Sequence, residues 1–307
     1  MRILRRAAAD RDTAIAVGSF DGVHRGHAAI FERLAASAHG AGLAAAILTF
    51  EPLPREFFAP AEAPPRLTTL GEKLALVAAR GIDCAIVERF DRGFARLTAE
   101  EFAARLARRY RARRVLVGPD FRYGARRQGD GASLAAAGRS LGFAVEILAP
   151  VTLDGERVSS TRVREALAAA DLAHAARLLG RPYAICGRVM HGAGRGRGMG
   201  FPTANVRLGR SKPALGGIFA VKCYGAATRG LEGVASLGIN PAVRSGGPAT
   251  LEAFLFDFSG DLYGRRLTVE FVKKLRDEAH FASMDALAAQ IRRDCEAARE
   301  CFRTAQG

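Results

Sequence analysis

The stretch at residues 18–27, which reads G-S-F-D-G-V-H-R-G-H, constrains the fold of this chain more than any other feature. The apolar run at 13–17 before it predicts a β-strand. Apolar residues at helical spacing in 28–38, with a stop at Gly40, predict a helix after it. Backbone N–H groups and the helix dipole at such a strand-to-helix corner favour phosphate, so the sequence predicts a phosphate site here.

Two histidines lie in this corner. His24 and His27 are three residues apart and share a face of the first helical turn, and Gly26 between them lets a phosphate approach the backbone closely. Two imidazoles can donate hydrogen bonds to negative charge that develops on phosphorus, without a covalent step. A lone H-x-x-H is more often a pair of solvent-exposed histidines or a pair of metal ligands. Here the strand, the turn and the helix all lie where a phosphate site needs them, which favours the phosphate role.

The first half of the chain alternates short apolar runs with helical patterns. The tetrapeptides T-L-G-E at 69–72 and T-A-E-E at 98–101 are capping boxes that predict helix starts. Such alternation predicts an α/β domain with a doubly wound parallel sheet, which binds ligands at the carboxyl ends of its strands, where the corner lies. The predicted strands are 13–18, 44–50, 84–87, 114–118 and 143–148.

The second half has a different rhythm, with strand-like runs separated by Gly, Pro and Asn turns. This spacing predicts an antiparallel β-barrel, followed by one amphipathic terminal helix at about 284–302. We expect two domains, residues 1–183 and 184–307. The predicted strands of the barrel are 184–190, 217–224, 231–239, 250–258 and 266–272. The residues expected on the apolar face of the helix are Leu287, Ile291, Cys295, Ala298 and Phe302.

The formal net charge of +15 by itself suggests a nucleic-acid partner. The charge is spread evenly, however, with 28 Lys and Arg against 20 Asp and Glu in residues 1–183, and 18 against 11 in residues 184–307. The chain also has no tryptophan to stack on bases, so we expect no nucleic-acid partner. Phosphate-rich small substrates explain a mild basic bias equally well.

The five cysteines form no C-x-x-C motif, and no apolar run approaches membrane-spanning length. The cysteines are typical of reduced thiols in a cytoplasmic protein. We expect no membrane partner, and a monomer or weak homo-oligomer.

A second cluster of phosphate-binding side chains follows a polar turn at 154–156. Ser159, Ser160 and Thr161 open a predicted helix and are followed by Arg162 and Arg164. One Ser or Thr is enough for an ordinary helix N-cap. Three hydroxyls with two arginines exceed that need and predict a second phosphate clamp.

Two features of the second half carry chemistry. Residues 191–200 contain five glycines, which suits close backbone contact with phosphate, although such loops are often merely flexible. The string P-T-A-N follows, and its Thr203 and Asn205 are hard oxygen ligands on the same side of an extended segment, where they can share Mg²⁺. A polar turn after proline is the alternative.

Glu252 lies in a predicted strand, with Leu251, Ala253 and Leu255 on the opposite face. A carboxylate in this position can accept the proton of a primary alcohol. A solvent-facing strand glutamate is the alternative.

Together these motifs resemble those of the bacterial bifunctional riboflavin kinase/FAD synthetases. H-x-G-H after a first strand is similar to the nucleotidylyltransferase signature, and F-D-G-V-H-R-G-H, S-S-T-x-x-R and P-T-A-N narrow the likeness to this family. Further similar segments at 49–52, 118–124, 129–131, 261–264 and 274–278 extend it over essentially the whole chain. The resemblance implies phosphorylation of riboflavin to FMN with ATP, and adenylylation of FMN to FAD with release of pyrophosphate.

The resemblance also implies roles for individual residues. His24 and His27 would stabilise the transition state of adenylyl transfer, and Glu252 would be the general base of phosphorylation. Mg²⁺ is implied as the metal, held by Thr203 and Asn205. The residues implied to bind ATP and its phosphates are Gly18, Phe20, Gly26, Ser159, Ser160, Thr161, Arg164, Gly194, Gly196 and Gly200. The residues implied at the flavin are Asp120, for which a solvated turn aspartate is the alternative, and Arg276.

Three positions depart from the family pattern. Leu53 lies where the family usually has His, Ala242 replaces a common Thr, and Phe254 replaces the His of an E-x-H run. None of these changes removes a proposed catalytic group, but each alters the surroundings of substrate.

Two other hypotheses stay open: a chain with only one active half, and a basic nucleic-acid-binding or scaffold protein. H-x-G-H alone would also fit a cytidylyl- or pantetheine-type transferase, against which the second phosphate clamp and the kinase half argue.

Overall fold

The chain divides into two compact units. The computed structural model describes residues 1–5, 7–192, 200–210, 212–225, 228–239 and 249–304. The first unit comprises Met1–Pro64 and Leu70–Ser160, and the second comprises Pro65–Thr69 and Thr161–Gly307. A domain boundary near residue 183 stays a prediction, and the helices that follow residue 160 group with the second unit.

The strands of the first unit are, in chain order, β1 (Arg2–Arg5), β2 (Thr13–Val17), β3 (Ala44–Glu51), β4 (Cys84–Arg89), β5 (Ala112–Val117), β6 (Arg122–Tyr123), β7 (Gly129–Asp130), β8 (Ala144–Ile147), β9 (Thr152–Leu153) and β10 (Glu156–Arg157). Within the described part of the chain, six of them form a parallel sheet in the order β1-β4-β3-β2-β5-β8. The short strands pair as two antiparallel hairpins, β6 with β7 and β9 with β10.

The helices that cover this sheet are α1 (Arg25–His39), α2 (Pro54–Phe58), α3 (Leu70–Ala78), α4 (Arg92–Ala95), α5 (Ala99–Arg108) and α6 (Gly131–Leu141). Helix α5 begins at the predicted capping box, in which Thr98 and Glu101 each bind the other's backbone N–H. Ile15 and Val17 pack with α5 and α6 on one face of the sheet, while Ala14 and Ala16 pack with α1 and α3 on the other. Both faces are therefore buried, which confirms the doubly wound fold.

The second unit is built on a closed antiparallel barrel. Its strands are β11 (Ala184–Met190), β12 (Ala204–Val206), β13 (Gly217–Gly225), β14 (Thr228–Ile239), β15 (Ala249–Leu255) and β16 (Arg266–Arg276). Among the described residues they close in the order β11-β12-β15-β14-β13-β16. The helices of this region are α7 (Ser160–Ala168), α8 (Leu172–Leu179) and α9 (Met284–Thr304). The barrel and the terminal helix confirm the predicted fold class.

One row of polar residues crosses the outer face of the barrel. Asn205 on β12 lies opposite Glu252 on β15, which lies opposite Ser236 on β14. Directly opposed residues on paired strands project to the same face. Leu251 and Ala253 flank Glu252 along the strand and are fully buried in the barrel interior, so the polar row faces outward. Helix α9 packs beside this row on the same outer face, against an apolar cluster.

Arginine side chains hold the segment Pro65–Thr69 within the second unit. The buried Arg210 donates from Nη1 to the carbonyl of Leu67 at 2.7 Å and to the Tyr183 hydroxyl at 3.1 Å. Arg164 donates from Nε to the carbonyl of Pro65 at 2.6 Å. These bonds pair backbone acceptors of the segment with side chains of the second unit.

A fragment of residues 184–307 is expected to melt about 10 °C or more below a fragment of residues 161–307. The shorter fragment lacks Tyr183, which is 3% exposed, stacks on Phe271 and accepts the Phe271 N–H at 3.0 Å. Loss of a buried aromatic side chain costs about 3–5 kcal/mol, enough for a shift of this size. Thermal unfolding followed by circular dichroism measures the difference. Equal melting temperatures would instead support a boundary near residue 183.

Candidate active sites

The corner after β2 has a strained backbone. Phe20, Gly22 and Val23 have positive φ values of 48°, 84° and 45°. Such values cost on the order of 1–3 kcal/mol at a residue with a side chain, most of all at a β-branched one such as Val23. Gly18 leaves room for the Phe20 ring, because a Cβ there would lie 2.9 Å from its Cε1. Strain of this kind persists where the surrounding fold holds it, and it is typical of ligand-binding loops.

The two histidines stack on each other at the start of α1. Their ring centroids are 3.6 Å apart, with an interplanar angle of 20°. His24 is the N-cap, and its Nδ1 accepts a hydrogen bond from the His27 backbone N–H at 3.4 Å. A neutral imidazole that accepts at Nδ1 carries its proton on Nε2, so Nε2 of His24 is a donor. A Cβ at Gly26 would lie 3.1 Å from the His24 Nδ1, so glycine keeps the stack undisturbed.

The surroundings of the stack favour an anion. No acidic residue lies in the first turn of α1, all of which is described, so no carboxylate within that turn offsets the positive end of the helix dipole. Phe20 contacts the His27 ring edge-to-face at 5.3 Å. Ser160, the first residue of α7, donates its hydroxyl to the carbonyl of Asp21 at 2.9 Å. One predicted clamp residue is thus joined directly to the histidine corner.

Other residues predicted for the first reaction have partners of their own. Thr161 and Arg164 fall in the second unit, and Arg164 uses its Nε to bind the Pro65 carbonyl. The mostly exposed Asp120 forms an ion pair with Arg157.

An aromatic cluster that was not predicted from the sequence lies at the carboxyl ends of β3 and β4 and in the segments that follow them. Its members are Phe50, Phe57, Phe58, Phe90 and Phe94. Phe58 is 66% exposed although it contacts Phe57 and Phe90 with centroids 5.3 and 5.5 Å apart. The pair F-F at 57–58 is the sequence signal that could have indicated this cluster. Leu53, which precedes the first residue of α2, is buried.

The polar row on the barrel brings the predicted kinase residues together. The Thr203 hydroxyl donates to Oε2 of Glu252 at 3.3 Å, and Asn205 lies directly opposite Glu252. Gly192 packs against the Asn205 amide, since a Cβ at position 192 would lie 2.2 Å from its Nδ2. A hydroxyl, an amide and a carboxylate therefore meet beside a backbone that only glycine permits.

A second carboxylate adjoins this row and was not predicted. Glu278 hydrogen-bonds to Ser236, and its Oε2 would lie 2.0 Å from a Cβ at Gly238. Burial raises the pKa of Glu278, although the Ser236 hydroxyl and the charges of Arg276 and His280 oppose the rise. The sequence carries no periodic signal for this contact, because it joins β14 to the chain after β16.

Arg276 is held by the terminal helix. Its guanidinium donates to both carboxylate oxygens of the buried Asp294, at 2.7 and 3.2 Å to Oδ2 and 2.9 Å to Oδ1. Phe254 contacts Phe201 edge-to-face at 5.4 Å, so an aromatic contact occupies the position of the family histidine. Gly200 has a φ of 84°. Gly194, Gly196 and Ala242 lie outside the described residues.

Comparison with known proteins assigns a family to each half of the chain. A family model described as FAD synthetase matches residues 6–162, and one described as riboflavin kinase matches residues 179–302. The bifunctional riboflavin kinase/FMN adenylyltransferase of Escherichia coli K12 is 46% identical over 289 residues, covering 94% of this chain and 92% of the relative. The protein of the same description from Pseudomonas fluorescens is 46% identical over 290 residues, covering 94% and 93%.

One solved structure shares the whole fold. It is described as a macrolide-efflux protein from Streptococcus pneumoniae, and it matches with a TM-score of 0.80 and 28% identity over 97% of this chain and 99% of that chain. The word efflux belongs to the description of the Streptococcus pneumoniae protein and is not applied to this chain. In this chain, no helix within the described ranges is long and apolar enough to span a membrane. Both family models and the sequence relatives show that the chain belongs to the bifunctional riboflavin kinase/FMN adenylyltransferase (FAD synthetase) family, with the two activities of FAD biosynthesis and with ATP and flavins as substrates.

Proposed function

We propose that the corner at residues 18–27 carries out adenylyl transfer. A phosphate oxygen of FMN attacks the α-phosphorus of ATP, and the bond from that phosphorus to the bridging oxygen breaks, so that FAD forms and pyrophosphate leaves. His24 and His27 donate hydrogen bonds to the charge that develops on the α-phosphate. The stacked rings, the donor at His24 Nε2 and the positive end of α1 support this role. The residues proposed to hold the β- and γ-phosphates are Ser159, Ser160, Thr161 and Arg164.

The polar row on the barrel is proposed to phosphorylate riboflavin. Glu252 accepts the proton of the primary hydroxyl of riboflavin as its oxygen attacks the γ-phosphorus of ATP, and ADP leaves. The residues of the glycine loop proposed to bind the phosphates are Gly194, Gly196 and Gly200. Arg276 closes over flavin and nucleotide, for which its ion pair with Asp294 has to turn or open.

Mg²⁺ fits the side chains of this row. The Thr203 hydroxyl, the Asn205 amide oxygen and the Glu252 carboxylate are hard oxygen ligands of the kind that Mg²⁺ prefers. The absence of a Cβ at Gly192 leaves the Asn205 amide in place. Thr203 and Asn205 would hold the ion, and its charge would offset that of the phosphates.

The exposed ring of Phe58 is proposed to support the flavin during adenylylation. Apolar aromatic rings stack offset or edge-to-face with centroids about 4.5–7 Å apart. The cluster around Phe58 lies at the carboxyl ends of β3 and β4 and in the segments that follow them, at the edge of the sheet where the histidine corner also lies. Asp120 is proposed near the flavin phosphate, where its partner Arg157 contributes a positive charge.

The protein is proposed to act in the cytoplasm on small molecules, as a monomer or weak homo-oligomer without nucleic-acid or membrane partners. Its five cysteines are free thiols, which fits a reducing compartment.

The proposal is supported by a separate cluster of polar side chains in each unit, the stacked histidines in the first and the polar row in the second. Incubation of the full chain with riboflavin, ATP and Mg²⁺, followed by chromatography, should show FMN first and FAD after it. Supplied FMN should be converted to FAD directly. A chain with one active half would complete only one of these steps, and a scaffold or nucleic-acid-binding protein would complete neither.

Gly192→Ala is expected to lower FMN formation by about tenfold or more and to leave adenylylation of supplied FMN unchanged. The added methyl group would displace the Asn205 amide, and displacements of about 1 Å at a reacting centre can cost up to about 10²-fold in rate. The rates of both reactions and a thermal melt measure the effect. The control is Gly71→Ala, where a Cβ meets no heavy atom within 4 Å. FMN formation at the wild-type rate would show that Asn205 does not need its present position.

A further inference from the structure

A buried lysine lies beneath the histidine corner. Lys73 on α3 is 1% exposed and is among the largest fully buried side chains of the described chain. Its Nζ donates to the carbonyl of Ser19 at 2.6 Å and to the Thr49 hydroxyl at 3.2 Å. The Thr49 hydroxyl in turn donates to the same Ser19 carbonyl at 3.3 Å. An ammonium group, a hydroxyl and a backbone carbonyl thus form one closed set of hydrogen bonds.

Burial of the Lys73 ammonium group carries a cost in free energy that packing of the helix does not require. Lysine is almost never fully buried without partners, because removal of its charge from water carries a large desolvation penalty. The neighbours Leu74 and Val77 on α3 are apolar and fill the core, so an apolar side chain at position 73 would suit the same helix face. The reason for an ammonium group at this position therefore lies in its contact with Ser19 at the corner and not in the packing of α3.

The Ser19 carbonyl is the last backbone acceptor before the strained turn. Phe20 follows it directly with positive φ, and Gly22 and Val23, the two residues before His24, also have positive φ. A backbone in these conformations persists only when its surroundings hold it. A charged hydrogen bond to the Ser19 carbonyl is stronger than a neutral one and fixes the direction of the peptide group that starts the turn.

We propose that Lys73 is a positioning residue for adenylyl transfer, which acts by holding the Ser19 carbonyl and hence the turn that presents His24 and His27 to the α-phosphate. The inference rests on the proposed role of the corner at residues 18–27. Lys73 contacts neither substrate nor reacting atoms in this role. Its loss reduces the rate at saturating substrate more than it weakens binding, since transition-state donors depend most on exact placement.

The test compares Lys73→Met and Lys73→Arg in the full chain with Val77→Ala, which destabilises the same helix but keeps the lysine. The measurements are kcat and KM for FAD formation from FMN and ATP, the rate of riboflavin phosphorylation, and the melting temperature. We expect Lys73→Met to lower kcat for FAD formation by about tenfold or more with little change in KM. Lys73→Arg should restore most of kcat, and riboflavin phosphorylation should be unchanged in all three variants.

Wild-type kcat in folded Lys73→Met, or an equal loss of kcat in Val77→Ala, would overturn the proposal. If Lys73→Met does not fold, Thr49→Val decides, because valine keeps the shape of threonine but removes an acceptor that holds the Lys73 ammonium group and a donor to the Ser19 carbonyl. A several-fold lower kcat at unchanged KM then supports the proposal, and an unchanged kcat overturns it. The variant His27→Ala separates this inference from the proposed role of the corner. If His27→Ala forms FAD at the wild-type rate, the assignment of the site is wrong. If His27→Ala is inactive in FAD formation but Lys73→Met is active, only the role of Lys73 is wrong.

Discussion

His27→Ala should lower FAD formation from FMN by about 10²-fold or more and leave riboflavin phosphorylation unchanged, because removal of one transition-state donor costs on this scale. His27 lies in the first turn of α1, stacks on the N-cap His24 and contacts the ring of Phe20. The kinase residues lie in the other unit. Specific activities for both reactions and a thermal melt measure the outcome.

The matched control is His39→Ala, the same substitution in the last turn of the same helix. His39 is exposed and pairs with Asp83 at 3.0 Å, far along α1 from the strained turn. We expect His39→Ala to keep the wild-type specific activity. If His27 has only a structural role, His27→Ala will lower the melting temperature while its folded fraction makes FAD at the wild-type rate.

Glu252→Gln should abolish most FMN formation, with a loss of about 10²-fold or more, the scale of general-base catalysis. Glutamine keeps the size of the side chain and an acceptor for the Thr203 hydroxyl, but it cannot take up the alcohol proton near neutral pH. Binding of riboflavin should therefore persist. FAD formation from supplied FMN should continue at the wild-type rate, since that reaction is proposed for the first unit.

The control for this variant is Glu232→Gln on the neighbouring strand β14, where the carboxylate lies opposite Lys222 and away from the polar row. We expect both reactions to be unchanged in it. Should Glu252→Gln phosphorylate riboflavin as fast as the wild type at saturating ATP, Glu252 is not the base. The kinase site would then work by positioning and metal charge alone.

The sheet and the barrel could be predicted because most of their strands are long apolar runs between turn residues. The run at 184–190 matches β11 as observed, and those at 44–50 and 84–87 lie within β3 and β4. Strand β1 was not predicted, since its sequence R-I-L-R puts arginines at both ends of an exposed edge strand. Strand β12 was not predicted either, because three residues are too few to show a period of two.

The terminal helix shows where periodicity stops being informative. The buried residues of α9 include Ala298 and Phe302, as predicted, but also Ala288 and the charged Asp294. Asp294 is buried because Arg276, on a different element, binds both of its carboxylate oxygens. A pairing between distant residues leaves no trace in the spacing of apolar side chains.

In the candidate sites too, residues within one local motif could be predicted, whereas contacts between distant segments could not. Local motifs placed His24 and His27 on one helical turn, where the structure stacks them. The approach of Thr203 to Glu252 depends on the register between β12 and β15, which no local pattern specifies. Lys73 was not predicted as a residue of the site, because a lysine in an amphipathic helix normally faces water.

The membership of Pro65–Thr69 in the second unit bears on how the chain is synthesised. Ribosomes add about 5–20 residues per second, so roughly 10–50 s separate the appearance of Leu67 from that of α9. Until Tyr183 and Arg210 have been made and folded into place, the carbonyl of Leu67 lacks the two side-chain donors that it has in the finished unit. The first unit has all of its residues once Ser160 emerges, and it can form its sheet with this segment as an open loop. The second unit is thus the last to complete its folding. When it does so, it packs around Pro65–Thr69, the first of its residues to be synthesised.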